Sequence, residues 1–416
     1  MKRLGITFCG CIFALSVAGN SFAQDVKVGT LFDHSGALQD WGERHQNAAE
    51  LAAEQLNRAG WTISLVHGDS QSSAEAAKKA ALRLVEEDKV LAILGSSSSG
   101  VVVPVAESVT IPHGILMISP GATAPYISTL QDDQGKDLLF RTCPSDKLQG
   151  VVLGKLAAGL YSTASILYVD NPYGQGLARQ FQHSFEKRGG LATMVPHGEE
   201  VASSYVSELR SAFSRKYGSK PMLAGKFDVL CAFSYPEHAK IYIKEGIEVF
   251  HGKNFLFSDG TKSEKLIQEV GADKLEGMMG TAPGGGSGSG FEKFKAFYTV
   301  KYADFPASPF IANAYDAAAL VGLASYAVQA KGQELSSQSI RDQLREVANP
   351  PGIFVGPGEF ETAFRLLDMG KAINYEGASG NVDFDSNGDV VTPIEVWKIE
   401  NGKIVTFRIE SQIPEE

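Results

Sequence analysis

Hydroxyl-rich segments stand at the ends of several short apolar runs in this sequence. After Val90–Leu94 comes Gly95-Ser96-Ser97-Ser98-Ser99-Gly100, and after Ile115–Ile118 comes Ser119-Pro120-Gly121-Ala122-Thr123. Hydroxyls beside free backbone N–H groups at a helix start form a site for a carboxylate. The same residues also serve as ordinary helix N-caps. Farther along, Ser165–Val169 ends in Asp170-Asn171-Pro172-Tyr173-Gly174, Phe227–Phe233 in Ser234-Tyr235, and Asn254–Phe257 in Ser258-Asp259-Gly260. An acid at 259 facing hydroxyls across a cleft suits a zwitterion, with anion and cation on opposite walls. The plainer role of Asp259 is that of a turn residue before Gly260.

Other chemistries find little support. Gly284–Gly290 contains no G-x-G-x-x-G register, and no Gly-Lys pair is followed by Ser or Thr, so the run reads as a surface loop. Asp383-x-Asp385-x-Asn387-Gly388-Asp389 opens like a calcium loop, but Ile394 stands where the bidentate Glu belongs. The eight histidines never fall at i, i+3 or i, i+4 spacing, and neither H-E-x-x-H nor G-x-S-x-G occurs. No metal, cofactor or catalysed reaction is therefore expected.

The elements that would position these ends alternate regularly. Val26–Phe32 reads as a strand and Gly42–Asn57 as a helix with Ala48, Leu51, Ala52 and Leu56 on one stripe. Trp61–Val66 is another strand, and Ser72–Glu87 a helix opened by a Ser72/Glu75 capping box. The same alternation resumes from Ser165 with a helix across Gly176–Lys187. Such alternation implies parallel sheets wound right-handedly with helices on both faces. Ligands then bind beyond the carboxyl ends of the strands, at switch points. Near the end, Val382–Phe384, Ile394–Ile399 and Ile404–Ile409 are separated by Asn387-Gly388 and Asn401-Gly402, which signal antiparallel hairpins.

With 416 residues and 44% hydrophobic composition the chain can bury more than one core. Lys2 and Arg3, the apolar run Ile6–Ala18 and Ser21-Phe22-Ala23 form a secretory signal, expected to be cleaved before Gln24. The remaining body has 36 basic and 48 acidic residues, which disfavours nucleic acid and anionic membrane as partners. Two cysteines stay in it, Cys143 and Cys231, either bridged or buried as small hydrophobes.

Leu31-Phe32-Asp33-His34-Ser35-Gly36, Gly114 through Pro125, Phe140-Arg141-Thr142 and Tyr173-Gly174-Gln175-Gly176-Leu177-Ala178 resemble the branched-chain amino acid-binding proteins, type I periplasmic receptors of ATP-binding-cassette importers. Phe257-Ser258-Asp259-Gly260 and Asn313-Ala314-Tyr315-Asp316-Ala317 extend the resemblance over essentially the whole mature chain. It implies an α/β fold of two Rossmann-like lobes joined by three hinge crossings. Residues 24–142 with 281–378 would form lobe 1, and 143–280 with 379–416 lobe 2, after a signal peptide over 1–23. It also implies a monomer in the periplasm that captures an amino acid-like zwitterion and delivers it to a membrane permease. A ligand-sensing receptor subunit, and a binder of amides, urea or aromatic acids, are the alternatives. By the same resemblance Ser99 and Thr123 would hold the ligand carboxylate. The Gly121 carbonyl and Asp259 would hold the ammonium, and Trp41, Tyr173 and Tyr235 would line the remainder. Gly121 stands where Ala is usual, which implies added space, and His34 takes an often apolar place near the cleft.

Overall fold

The computed structural model describes residues 25–414 and 416, apart from 215, 218, 219, 222–226, 285 and 287. The expected signal segment lies outside the described residues. Five strands form a first, wholly parallel sheet: β1 (Val26–Phe32), β2 (Ile63–Asp69), β3 (Ala92–Gly95), β4 (Leu116–Ser119) and β5 (Leu139–Arg141), in the order β2-β1-β3-β4-β5. Strands β3 and β4 are buried at every residue, which is why they read as continuous apolar runs. The strand order reverses direction between β1 and β3, so a crevice opens beyond Phe32 and Gly95.

The second sheet joins β6 (Thr163–Val169), β7 (Leu191–His197), β10 (Val229–Phe233), β11 (Phe255–Phe257), β12 (Met279–Pro283), β16 (Ile394–Glu400) and β17 (Lys403–Glu410) in the order β17-β16-β12-β11-β10-β6-β7. Strands β6, β7, β10, β11 and β12 run parallel, while β16 and β17 are antiparallel, as Asn401-Gly402 signalled. A small hairpin pairs β8 (Lys216–Tyr217) with β9 (Lys220–Pro221), and β13 (Ile353–Val355), β14 (Ile373–Gly377) and β15 (Gly380–Asn381) form a separate sheet. Helices α1 (Gln39–Arg58), α2 (Ala74–Glu86) and α3 (Ser99–Val105) belong to the first unit, and α4 (Asp146–Ala158) and α5 (Pro172–Lys187) open the second. The helix Ile311–Ala330 is mostly apolar and buried among these elements, with Asn313, Asp316 and Ser325 as buried polar exceptions.

The expected lobe boundaries do not coincide with these units. Thr281–Pro283 pair within the second sheet, whereas Val382, Phe384 and Val390 are buried in the core of the first. The chain thus passes between units at residues 142–146, after Pro283 and at residues 390–394. Val382–Phe384 forms no strand. Asn387-Gly388 is instead a turn closed by Asp385, whose Oδ1 accepts from the backbone N–H of Asn387 (2.7 Å) and of Asp389 (3.0 Å). The Ser72/Glu75 capping box also fails. Ser73 is the N-cap of α2, and Ser72 has a positive φ of 49° that turns its hydroxyl toward Leu38 N and Ser35 O. Cys143 and Cys231 are both free and buried.

Candidate functional site

The first wall grows from the ends of β1, β3 and β4. Asp33, after β1, is fully buried and accepts hydrogen bonds from Ser70 Oγ (2.6 Å), Ser96 Oγ (2.8 Å) and Ser97 N (3.1 Å). This fixes the serine-rich segment that leads into α3. Ser97 Oγ then lies 2.9 Å from His45 Nδ1, and His45 Nε2 is 3.0 Å from Pro309 O. Burial lowers the His45 pKa to about 4, so the imidazole is neutral. Ser99 begins α3, and its Oγ accepts from Ala124 N at 3.2 Å, joining the two hydroxyl-bearing loops. Ser119 Oγ donates to Ser96 O and accepts from Ala122 N. Behind this wall Arg141, fully buried, pairs with Asp389 at 2.6 and 2.8 Å and donates Nη1 to Ala122 O and Ala124 O. The carbonyls on either side of Thr123 are therefore pinned by one guanidinium.

The second wall comes from α4, α5 and the ends of β10 and β11. Asn171 caps α5 through a hydrogen bond from Gly174 N, which places Tyr173 in the first turn. The Tyr173 hydroxyl donates to Asp259 Oδ1 at 2.8 Å and accepts from Gly260 N at 3.1 Å. Gln149 Nε2 also donates to Asp259 Oδ1 at 2.8 Å. Tyr173 and Tyr235 stack with centroids 5.5 Å apart. Asp259 is buried, and desolvation raises its pKa to about 6 although Tyr173 and Gln149 oppose the shift. Asp146, in the first turn of α4, is raised well above the usual carboxylate range, by burial first and the nearby Asp259 charge second. Neither carboxylate has a cationic side chain within ion-pair distance among the described residues.

The two walls meet. Thr123 Oγ1 donates to Asp146 Oδ2 at 2.8 Å, and the Ser98 and Tyr235 hydroxyls are 3.0 Å apart. Asp40 accepts from Lys265 Nζ (3.0 Å) and Ser263 Oγ (3.2 Å) at the rim. Trp41 and Phe310 belong to the same buried cluster as Tyr173, Tyr235 and Cys143. The seven residues expected to line the site, Trp41, Ser99, Gly121, Thr123, Tyr173, Tyr235 and Asp259, are all buried. Two expectations need correction. The space left by Gly121 is filled, since a Cβ there would lie 2.9 Å from Ser97 Cβ and 3.0 Å from the Phe310 ring. His34 is exposed, its backbone N–H bonded to Asp69; the histidine against the crevice is His45, one helical stripe into α1.

Sequence reasoning missed Asp146, Gln149 and Phe310, and named Ser98 only within the serine run. Asp146 and Gln149 carried a signal, because residues three apart in a first helical turn share a face. Asp146 Oδ1, Gln149 Oε1, Thr281 Oγ1 and Trp41 Nε1 are buried with no hydrogen-bond partner. Native interiors seldom leave such groups bare. Two of the four are acceptors, one is a hydroxyl and one an indole donor.

Comparison with known proteins agrees with this fold. The sequence profile of the family described as periplasmic binding protein matches residues 25–368. The chemotactic signal transduction system substrate-binding protein BasB of Halobacterium salinarum is 27% identical over 92% of this chain and 89% of its own. An amino acid binding protein of Pseudomonas aeruginosa is 31% identical over 67% of this chain and 72% of its own. Among solved structures, the branched-chain amino acid transporter substrate binding protein LivJ of Streptococcus pneumoniae, in complex with isoleucine, superposes with a TM-score of 0.72. It is 23% identical and covers 94% of this chain and 100% of its own.

Proposed function

The chain belongs to the periplasmic binding protein family, and on that premise we propose that it captures an amino acid or a close analogue between its lobes and delivers it to the permease of an ATP-binding-cassette importer. What carries this reading is the pair of buried acids, Asp259 and Asp146, set without a cation opposite the Ser99 and Thr123 hydroxyls. The ligand carboxylate takes the Ser99 and Thr123 hydroxyls. Its ammonium takes Asp259 and the Gly121 carbonyl, and releases Asp146 from Thr123. An ammonium fits because a buried unpaired carboxylate is expensive and a charge-assisted hydrogen bond is among the stronger ones. Trp41, Tyr173, Tyr235 and Phe310 enclose the rest of the ligand. The lobes shut because the ligand touches both, so it favours the closed state by its differential affinity. No step of this process makes or breaks a covalent bond.

The protein acts in the periplasm as a monomer, after cleavage before Gln24. A thermal-shift panel of the twenty amino acids, acetamide, urea and benzoate tests the reading, since ligand bound to the native state raises the melting temperature. The expected result is a rise with one or more amino acids. A rise with benzoate, urea or acetamide alone overturns the zwitterion. A sensory role is the second reading, favoured by the match to BasB along most of both chains. Impaired uptake of the bound amino acid on deletion supports transport, and impaired taxis with normal uptake supports sensing.

A further inference from the structure

Phe310 reaches the crevice from a backbone conformation that has to be held. Its φ of 66° lies in the left-handed region, which a bulky residue adopts only where its surroundings fix it. The ring packs against Gly121 so closely that a Cβ at 121 would lie 3.0 Å from its Cδ2 and 3.2 Å from its Cγ. Trp41 meets the same ring edge-on, with centroids 5.7 Å apart. Tight packing all round does not account for this placement. A cavity of about 290 Å³, lined by Phe305, Pro306, Ala307, Ile311 and Ile409, also borders Phe310 and leaves its ring room to swing away.

The hold is on the carbonyl one residue earlier. Pro309 O lies 3.0 Å from His45 Nε2, and Ser97 Oγ lies 2.9 Å from His45 Nδ1. A carbonyl only accepts, so the imidazole proton sits on Nε2, and Nδ1 accepts from the Ser97 hydroxyl. Ser97 is fixed in turn by its backbone N–H, which donates to Asp33. His45 is fully buried between Trp41 and Phe32, with ring centroids 5.9 and 6.0 Å away. It therefore ties α1, the serine run before α3 and the turn carrying Phe310 to one another. Pro309 O belongs to the peptide plane from which the φ of Phe310 is measured. That φ limits the rotamers open to the ring, so fixing the carbonyl fixes the ring.

We propose that His45 is the positioning residue that sets how large a ligand side chain the crevice admits: by holding Pro309 O it keeps the Phe310 ring over Gly121 and restricts the crevice to amino acids with small side chains. On the capture reading given above, on which this rests, the Gly121 carbonyl takes the ligand ammonium. A ring lying on Gly121 then stands beside the ligand Cα, where the side chain begins. An alanine-sized side chain fits beneath it. A leucine-sized one makes the ring and the 309–310 peptide shift together, which leaves the buried His45 N–H without its acceptor.

Calorimetric titration with alanine, leucine and phenylalanine tests this in wild type, His45→Leu, His45→Gln, Phe310→Ala and His45→Leu/Phe310→Ala. Wild type should bind alanine about tenfold or more tightly than the larger two, as size discrimination in an apolar pocket allows. In His45→Leu that preference should fall about fivefold, the size expected for one lost hydrogen bond. His45→Gln should restore it, because its amide both donates to Pro309 O and accepts from Ser97. Phe310→Ala should abolish the preference, and the double variant should fall no further, since His45 acts through the ring. A residue that served folding alone would weaken all three ligands alike. His45→Asn, too short to span both partners, takes the place of a His45→Leu chain that does not fold. An unchanged preference in the His45 variant, or tighter wild-type binding of leucine or phenylalanine than of alanine, overturns this role and leaves capture standing. Binding of no amino acid at all overturns the capture reading and this role with it.

Discussion

The Ser98 and Tyr235 hydroxyls, on opposite lobes, lie 3.0 Å apart, and Asn171 Nδ2 donates to the same tyrosine oxygen at 3.2 Å. One phenol thus links a serine of lobe 1 to the α5 cap of lobe 2. Tyr235→Phe keeps the stack on Tyr173 and removes only this link. A hydrogen bond of this kind contributes about 0.5–1.5 kcal/mol, or roughly 2- to 12-fold in affinity. Stopped-flow measurement should find the loss in the ligand off-rate, because the link forms only in the closed state. An unchanged off-rate would show that the contact does not hold the lobes shut.

Asp259→Ala should weaken ligand binding far more. Truncating one partner of a buried charge pair costs ~2–5 kcal/mol, about 30- to 5,000-fold in affinity. Thr123→Ala should cost ~1.5–3 kcal/mol, because other donors also hold the carboxylate. Calorimetric titration of both variants gives the comparison. Wild-type affinity in Asp259→Ala would mean that the ligand lacks an amine.

Binding should also depend on pH. Burial raises the Asp259 pKa to about 6, so below that pH a proton competes with the ligand cation. Affinity should fall as pH drops below about 6 and level off above it. Ligand-free stability should change in the opposite direction. The folded-state pKa lies above the ordinary carboxylate value near 3.8, so the protonated carboxyl's contribution is full below that value and is lost as pH rises through about 6. Asp259→Asn should make the affinity profile shallower, which titration calorimetry at pH 4.5 to 8 would record, while the stability profile keeps the titration of Asp146 and of Asp316, whose pKa burial also raises to about 6. A variant profile parallel to wild type would assign the titration to another group.

Gly100 offers a steric check on closure. A Cβ there would lie 2.7 Å from Asn171 Nδ2 and from Glu199 Oε2 on the other lobe, and Asn171 is pinned by its cap. Gly100→Leu should leave each lobe folded and hold them apart. Small-angle scattering of wild type should show the radius of gyration falling on ligand addition, and the variant should not contract. Equal contraction would place the lobe contact elsewhere.

Much of the fold was legible because its strands are buried on both faces. Continuous apolar runs such as Ala92–Gly95 leave little choice of structure. Strand β7 was not, since Leu191–His197 is an edge strand, largely half-buried or exposed, with Pro196 within it. Asn387-Gly388 misled for a tertiary reason. Its neighbours serve Arg141, which takes Asp389 as its counter-ion and Gly388 O as an acceptor for its backbone N–H, and no local pattern announces a partner 248 residues away. Within the crevice, hydroxyls at strand ends could be found because the sheet rule says where to look. Phe310 could not, because it enters on a positive φ of 66° at the head of a buried helix, far in sequence from the Gly121 it covers.

Trp41, Phe310, Tyr173 and Tyr235 share one buried cluster although they belong to different lobes. Shutting the lobes therefore withdraws aromatic surface from water in addition to whatever the ligand itself loses. Removing apolar surface lowers heat capacity. The binding enthalpy should accordingly become more exothermic on warming, with a slope steeper than a molecule the size of an amino acid could produce alone. Trp41→Ala should reduce that slope. The temperature coefficient of the binding heat thus becomes a gauge of how far the two halves travel, readable without any structural probe.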